Sequence, residues 1–66
     1  MNSIKIGERL RKLRGSRTQE EVAEAIGITS AAISQYENGD RIPRDEIKKA
    51  LAKYYKRTVN YIFFSD

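Results

Sequence analysis

Ile6, Leu10 and Leu13 recur at the i, i+4, i+7 spacing that lines one face of an α-helix, with Arg9, Arg11, Lys12 and Arg14 between them. The pattern predicts a first amphipathic helix over Ile4 to Arg14, ended by Gly15-Ser16. Thr18 with Glu21 three residues on is a capping-box pattern, and Glu20 and Glu21 suit the positive end of a helix dipole. Val22, Ala23 and Ile26 give this second helix its inward stripe, and Gly27 stops it. Thr29 is placed to cap a third helix in which Ile33 and Tyr36 face inward and which Asn38-Gly39 terminates. Pro43 is placed to open a fourth helix, with Asp45 and Glu46 in its first turn and Ile47, Leu51, Ala52 and Tyr55 on its buried face. A short fifth helix starting at Thr58 buries Val59 and Ile62. No strand pattern interrupts the series. The expected fold class is therefore all-α, a five-helix bundle of low contact order forming one domain over residues 1–66.

Composition narrows the chemistry. A 66-residue chain has one small core, and this one has no Cys and no His. Disulfides, a zinc site and a catalytic histidine are excluded, so efficient helix packing must supply the stability. There are no paired acids in a credible pocket and no phosphate-binding Gly loop, so the chain reads as no enzyme, with no catalytic or metal-binding residues and no cofactor. The longest apolar run, Tyr61 to Phe64, is far short of the ~20 residues of a membrane span. The N-terminus lacks a signal-peptide core. A cytoplasmic protein with no membrane partner and no evident small-molecule effector is the expectation.

The net charge of +4 is unevenly spread. Lys5, Arg9, Arg11, Lys12, Arg14 and Arg17 face only Glu8 in the first 17 residues, whereas Glu20, Glu21 and Glu24 stand alone in the next eleven. Such a balance suits a polyanionic partner as well as it suits a solvated surface. The third helix is more informative. Its free face carries Ser30, Ala31, Ser34 and Gln35, all short or uncharged, where a solvated helix would carry Lys and Glu. Gln can bond an adenine edge, Ser can donate or accept at any base, and Ala can pack on a thymine methyl.

The stretch from Thr18 to Gly39 resembles the helix-turn-helix of the lambdoid phage repressor and Cro family, the wider Xre-type regulators. The matching features are Thr18-Gln19, Ala23, Gly27, Ile33-Ser34 and Glu37-Asn38-Gly39. Ile6 to Arg11 resembles the family's first helix, and Pro43 to Phe63 its last two. The resemblance implies a lambda repressor-like DNA-binding domain, with the helix-turn-helix at about 18–38 and C-terminal helices at about 43–64. It implies that Gln19 holds a DNA phosphate through its amide and side chain, and that Ser30, Ala31 and Gln35 read bases, with Ser34 beside them. Asn38, Arg41 and Arg44 fall where the family grips flanking phosphates. Arg14 and Glu37 match a pair that often forms a buried ion pair. Two departures stand out: the link Gly15-Ser16-Arg17 is about two residues short, and Asp45 and Lys48 replace apolar residues, leaving Ile47 and Leu51 to carry more of that contact.

Five of the six aromatic residues fall within the last part of the chain, as Tyr54, Tyr55, Tyr61, Phe63 and Phe64. So small a bundle cannot bury them all. Tyr61, Phe63 and Phe64 are candidates for a self-association surface, while Arg9, Arg11, Lys12, Arg17 and Lys48 read as solvated. The function expected is a sequence-specific transcriptional regulator, a repressor that binds a palindromic operator as a homodimer through the major groove. The alternative is an adaptor or antitoxin-type module of the same fold that docks a partner through its aromatic C-terminal end.

Overall fold

A computed structural model describes residues 1–65 as five helices in chain order: α1 Ser3–Arg14, α2 Gln19–Ile26, α3 Ser30–Glu37, α4 Asp45–Tyr55 and α5 Asn60–Phe64. Local chemistry sets the boundaries. Asn2 starts α1 one residue ahead of the expected position, its side-chain oxygen accepting from the amides of Ile4 and Lys5. Thr18 accepts from Glu21 N at 3.0 Å while the Glu21 carboxylate accepts from Thr18 N, so two otherwise unpaired donors are satisfied reciprocally. Gly27 takes φ 83°, a left-handed conformation that costs glycine little, and turns the chain into Thr29, which caps α3 by accepting from Ala32 N.

Two further boundaries differ from the sequence reading. Pro43 does not open α4, which begins at Asp45; its side chain is fully buried. The last element is a single turn of π-helix rather than an α-helix from Thr58, although the Thr58 hydroxyl still accepts from Tyr61 N. In this turn the consecutive residues Ile62 and Phe63 are both fully buried.

The core comprises Ile6 and Leu10 from α1, Val22 and Ala23 from α2, Ile33 and Tyr36 from α3, Leu51, Ala52 and Tyr55 from α4, and Ile62 and Phe63 from α5. The third helix sits between α1 and α2, while α4 packs on α2 and α5 on α1. Gly7 lies where α1 meets α3: a Cβ built there would stand 2.2 Å from the Glu37 carbonyl oxygen and 2.8 Å from that of Tyr36. Glycine permits this separation, and no other residue does.

The buried stripe of α4 is Lys48, Leu51, Ala52 and Tyr55, with Ile47 half-buried. Lys48 is thus no solvated residue. Its stem occupies a core position while its ammonium lies 3.5 Å from Asp45 Oδ1 and 5.5 Å from the centre of the Phe64 ring. Arg17 is not free either: its guanidinium lies over the rings of Tyr54 and Tyr55, at 5.2 and 5.6 Å. It fastens the short α1–α2 link to α4.

Candidate nucleic-acid interface

The inward face of α3 is fixed by Ile33, Tyr36 and Glu37, all buried. Helical geometry then leaves Ser30, Ala31 and Gln35 exposed and Ser34 half-buried on the opposite face. This strip carries no ionised group, and it is held rigidly because the residues behind it are core.

Glu37, the last residue of α3, is the hub of the site. Its side chain is 1% exposed, yet it is well paired. Arg14 Nε donates to Oε2 at 2.7 Å and Arg14 Nη2 to Oε1 at 3.0 Å, a two-pronged contact from α1. Gln19 Nε2 donates to Oε1 at 3.1 Å from the start of α2, and Arg11 Nε lies 3.8 Å away. The bonds to Glu37 hold the Arg14 guanidinium still more firmly protonated than usual, against the opposing effect of burial. One carboxylate therefore ties α1, α2 and α3 together, and it fixes Gln19 with one amide proton spent and one to spare. The backbone amides of Gln19 and Glu20, in the first turn of α2, have no acceptor within the helix. They supply the local positive potential that an anion would meet.

Beyond α3, Asn38, Arg41 and Arg44 are exposed. Arg11 Nη2 donates to Asn38 Oδ1 at 2.9 Å, and Asn38 Nδ2 donates to Ser34 Oγ at 3.4 Å. Arg41 lies over the Tyr36 ring at 5.9 Å and its Nη1 reaches Gln35 Oε1 at 3.5 Å. The structure thus joins Ser34 with Asn38, Gln35 with Arg41, and Gln19 with Glu37. Arg11, read from sequence as solvated, belongs to this network. Its spacing of three from Arg14, on the helix that faces Glu37, was the available signal.

The aromatic candidates divide. Tyr61 and Phe64 are 48% and 55% exposed, whereas Phe63 has no exposed surface and belongs to the core. Phe63 is therefore removed from the candidate self-association surface, because the π-turn directs it inward beside Ile62. Tyr61 is flanked by the guanidinium of Arg9, which also donates to the Ile62 carbonyl.

Tyr55 gives the core a pH dependence. Burial, with the nearby charge of Glu37 adding to it, pushes its phenol up to about 12. The folded chain then holds a proton that the unfolded chain has released at its ordinary value of about 10. The stabilisation is complete below about pH 10 and is lost as pH rises towards about 12. Urea midpoints measured from about pH 9.5 to about pH 11.5 should fall more steeply for the wild type than for Tyr55→Phe. Parallel curves would remove Tyr55 as the cause.

Comparison with known proteins follows this geometry. The model of the helix-turn-helix family matches residues 8–62. The chain is 35% identical over 66 residues to the HTH-type transcriptional regulator DicA of Escherichia coli (strain K12), covering 97% of this chain and 49% of that protein. It is 32% identical over 65 residues to the HTH-type transcriptional activator BcrR of Enterococcus faecalis, covering 96% and 32% respectively. The chain thus spans half or less of the length of these curated relatives. Its fold matches that of the P22 c2 repressor protein, solved in complex with synthetic operator 9T, with a TM-score of 0.87 at 30% identity over 92% of this chain and 96% of that one.

Proposed function

Because the chain belongs to the helix-turn-helix family, a family of transcription regulators and not of enzymes, we propose that it binds double-stranded operator DNA and represses transcription from it. The observation that carries this reading is the exposed, uncharged strip Ser30, Ala31, Ser34 and Gln35 on a helix whose other face is core. Such a strip fits against base edges in the major groove, where long ionic side chains would clash or stay hydrated. Gln19 at one end, and Asn38, Arg41 and Arg44 at the other, grip phosphates on either side and set the register. Blocking a promoter requires only occupancy, which a domain of this kind supplies. Operator DNA places its work in the cytoplasm, and no helix among the described residues is long and apolar enough to cross a membrane.

One recognition helix spans few base pairs. We therefore propose a two-fold dimer on a palindrome, with half-sites about 34 Å apart and Tyr61 and Phe64 contributing the joined surface. These two side chains are large, apolar and at least 48% exposed, and so are available to a second copy.

Salt dependence tests the proposal. A dimer engaging Arg41 and Arg44 twice should lose affinity with a log–log slope of about −3.6, or roughly 150-fold between 50 and 200 mM salt. Gln35→Ala should alter which sequences are preferred more than it alters total affinity. A chain that binds no operator, and binds a protein through Tyr61 and Phe64 with little salt dependence, would establish the docking module instead.

A further inference from the structure

The recognition strip has a hydrogen-bond polarity that its sequence does not specify. A serine hydroxyl both donates and accepts, and a glutamine amide presents a carbonyl and an NH₂ group at rotationally interchangeable positions. On α3 one lone pair of Ser34 Oγ and one of Gln35 Oε1 already face a donor, at 3.4 and 3.5 Å. Asn38 Nδ2 donates to Ser34 Oγ, and Asn38 is oriented that way because Arg11 Nη2 takes its carbonyl oxygen at 2.9 Å. Arg11 is itself held beside the buried Glu37 carboxylate. Gln35 Oε1 faces Arg41 Nη1, and the Arg41 guanidinium rests over the ring of the buried Tyr36. The loop carrying Arg41 is pinned by its own backbone, Gly39 N donating to Tyr36 O and Asp40 N to Gln35 O.

We propose that Arg11 and Arg41, neither of them on α3, are positioning residues that turn Ser34 and Gln35 into hydrogen-bond donors, so that the bases they read are those presenting acceptors. This rests on the DNA-reading role proposed above and adds the base class to it. With Ser34 Oγ occupied, its hydroxyl proton points away from Asn38. With Gln35 Oε1 against a guanidinium, the amide NH₂ is the group presented outward. Guanine alone shows two acceptors, N7 and O6, on its major-groove edge, whereas thymine sets a single acceptor beside a methyl, adenine pairs an acceptor with a donor and cytosine shows a donor. The cation beside Gln35 raises the penalty for a base that brings a donor to that point. A guanine is therefore the base that matches the Gln35 end of the strip, in place of the adenine that an unconstrained glutamine would take.

The test is selection of bound sites from random duplex DNA with the wild-type protein, Gln35→Ala, Arg41→Met and Arg11→Met, each variant first checked for an unchanged helical signal. Gln35→Ala identifies the position that Gln35 reads, as the one whose preference is lost. At that position the wild type should favour guanine over adenine by ~10-fold or more. Arg41→Met should narrow that ratio to about threefold or less while the other positions keep their preferences. Arg11→Met should do the same at a neighbouring position read by Ser34. Adenine, cytosine or thymine at the Gln35 position in the wild type overturns the inference. So does an Arg41→Met variant whose motif is unchanged, whatever its loss of total affinity, since a phosphate contact alone lowers affinity without altering the bases selected. A wild-type protein that selects no motif overturns the DNA-reading proposal, and the inference with it.

Discussion

Gly7→Ala is expected to lower the melting temperature by roughly 10 °C or more, although on helix propensity alone it should help. Alanine in a helix interior is favoured over glycine by about 1 kcal/mol. Here the added methyl would stand 2.2 Å from the Glu37 carbonyl oxygen and 2.8 Å from that of Tyr36. Both obstacles are backbone atoms, so no side-chain rotation relieves the overlap. The first and third helices must separate, and separation stretches the Arg14–Glu37 contact that joins the same two elements. Overpacking of this kind costs about 3 kcal/mol or more, which exceeds the propensity gain. Total stability for a chain of this length is on the order of 3 to 10 kcal/mol, so a net loss of about 2 kcal/mol removes a large part of the margin. Thermal melts followed by circular dichroism decide the matter. A melting temperature equal to or above wild type would show that α1 and α3 can move apart without loss.

The second large effect is expected at Arg14. Arg14→Met should destabilise the fold by about 3 kcal/mol, because it strands a carboxylate taken out of water. The Glu37 side chain is 1% exposed, and once Arg14 is gone its nearest donors are Gln19 at 3.1 Å and the more distant Arg11 at 3.8 Å. Neither reproduces a two-pronged guanidinium contact. The double variant Arg14→Met/Glu37→Met should recover at least half of the loss, since paired apolar side chains of similar volume avoid the desolvation that the ion pair must offset. Urea unfolding of the two single variants and the double forms the cycle. Simple addition of the two single losses would mean that Glu37 stabilises the fold through Gln19 and Arg11 and not through Arg14. The double variant would also release Gln19 from its bond to Glu37, so it should weaken DNA binding even where it restores stability.

The elements were legible because their ends are written locally. The hydroxyls of Thr18 and Thr29 each bond an amide three residues away, and Gly27 closes α2 within its own turn. Asn2 does the same for α1, four residues ahead of the first stripe residue, Ile6. The exposed strip on α3 was legible for a related reason. Once Ile33 and Tyr36 face inward, helical periodicity places Ser30, Ala31 and Gln35 opposite them. Reading Lys48 as solvated failed because a lysine was classed by its charge. Its position three and four residues ahead of Leu51 and Ala52 was the better guide, and its long stem allows the ammonium to reach Asp45.

The order of the helices, their inward stripes and the uncharged face of the third helix are determined by the amino-acid sequence alone, because each rests on interactions spanning at most one or two turns. Tertiary structure alone decided that Gly7 is a point of backbone contact, that Phe63 is core while Tyr61 and Phe64 are surface, and that one carboxylate joins three helices. It also decided that Arg11 reaches Asn38 beside Ser34. The partners concerned lie 18 to 27 positions apart in Glu37–Gln19, Arg14–Glu37 and Arg11–Asn38. No periodicity links such residues. Their distances are set by how closely the helices pack, and that is fixed only when the whole core has formed.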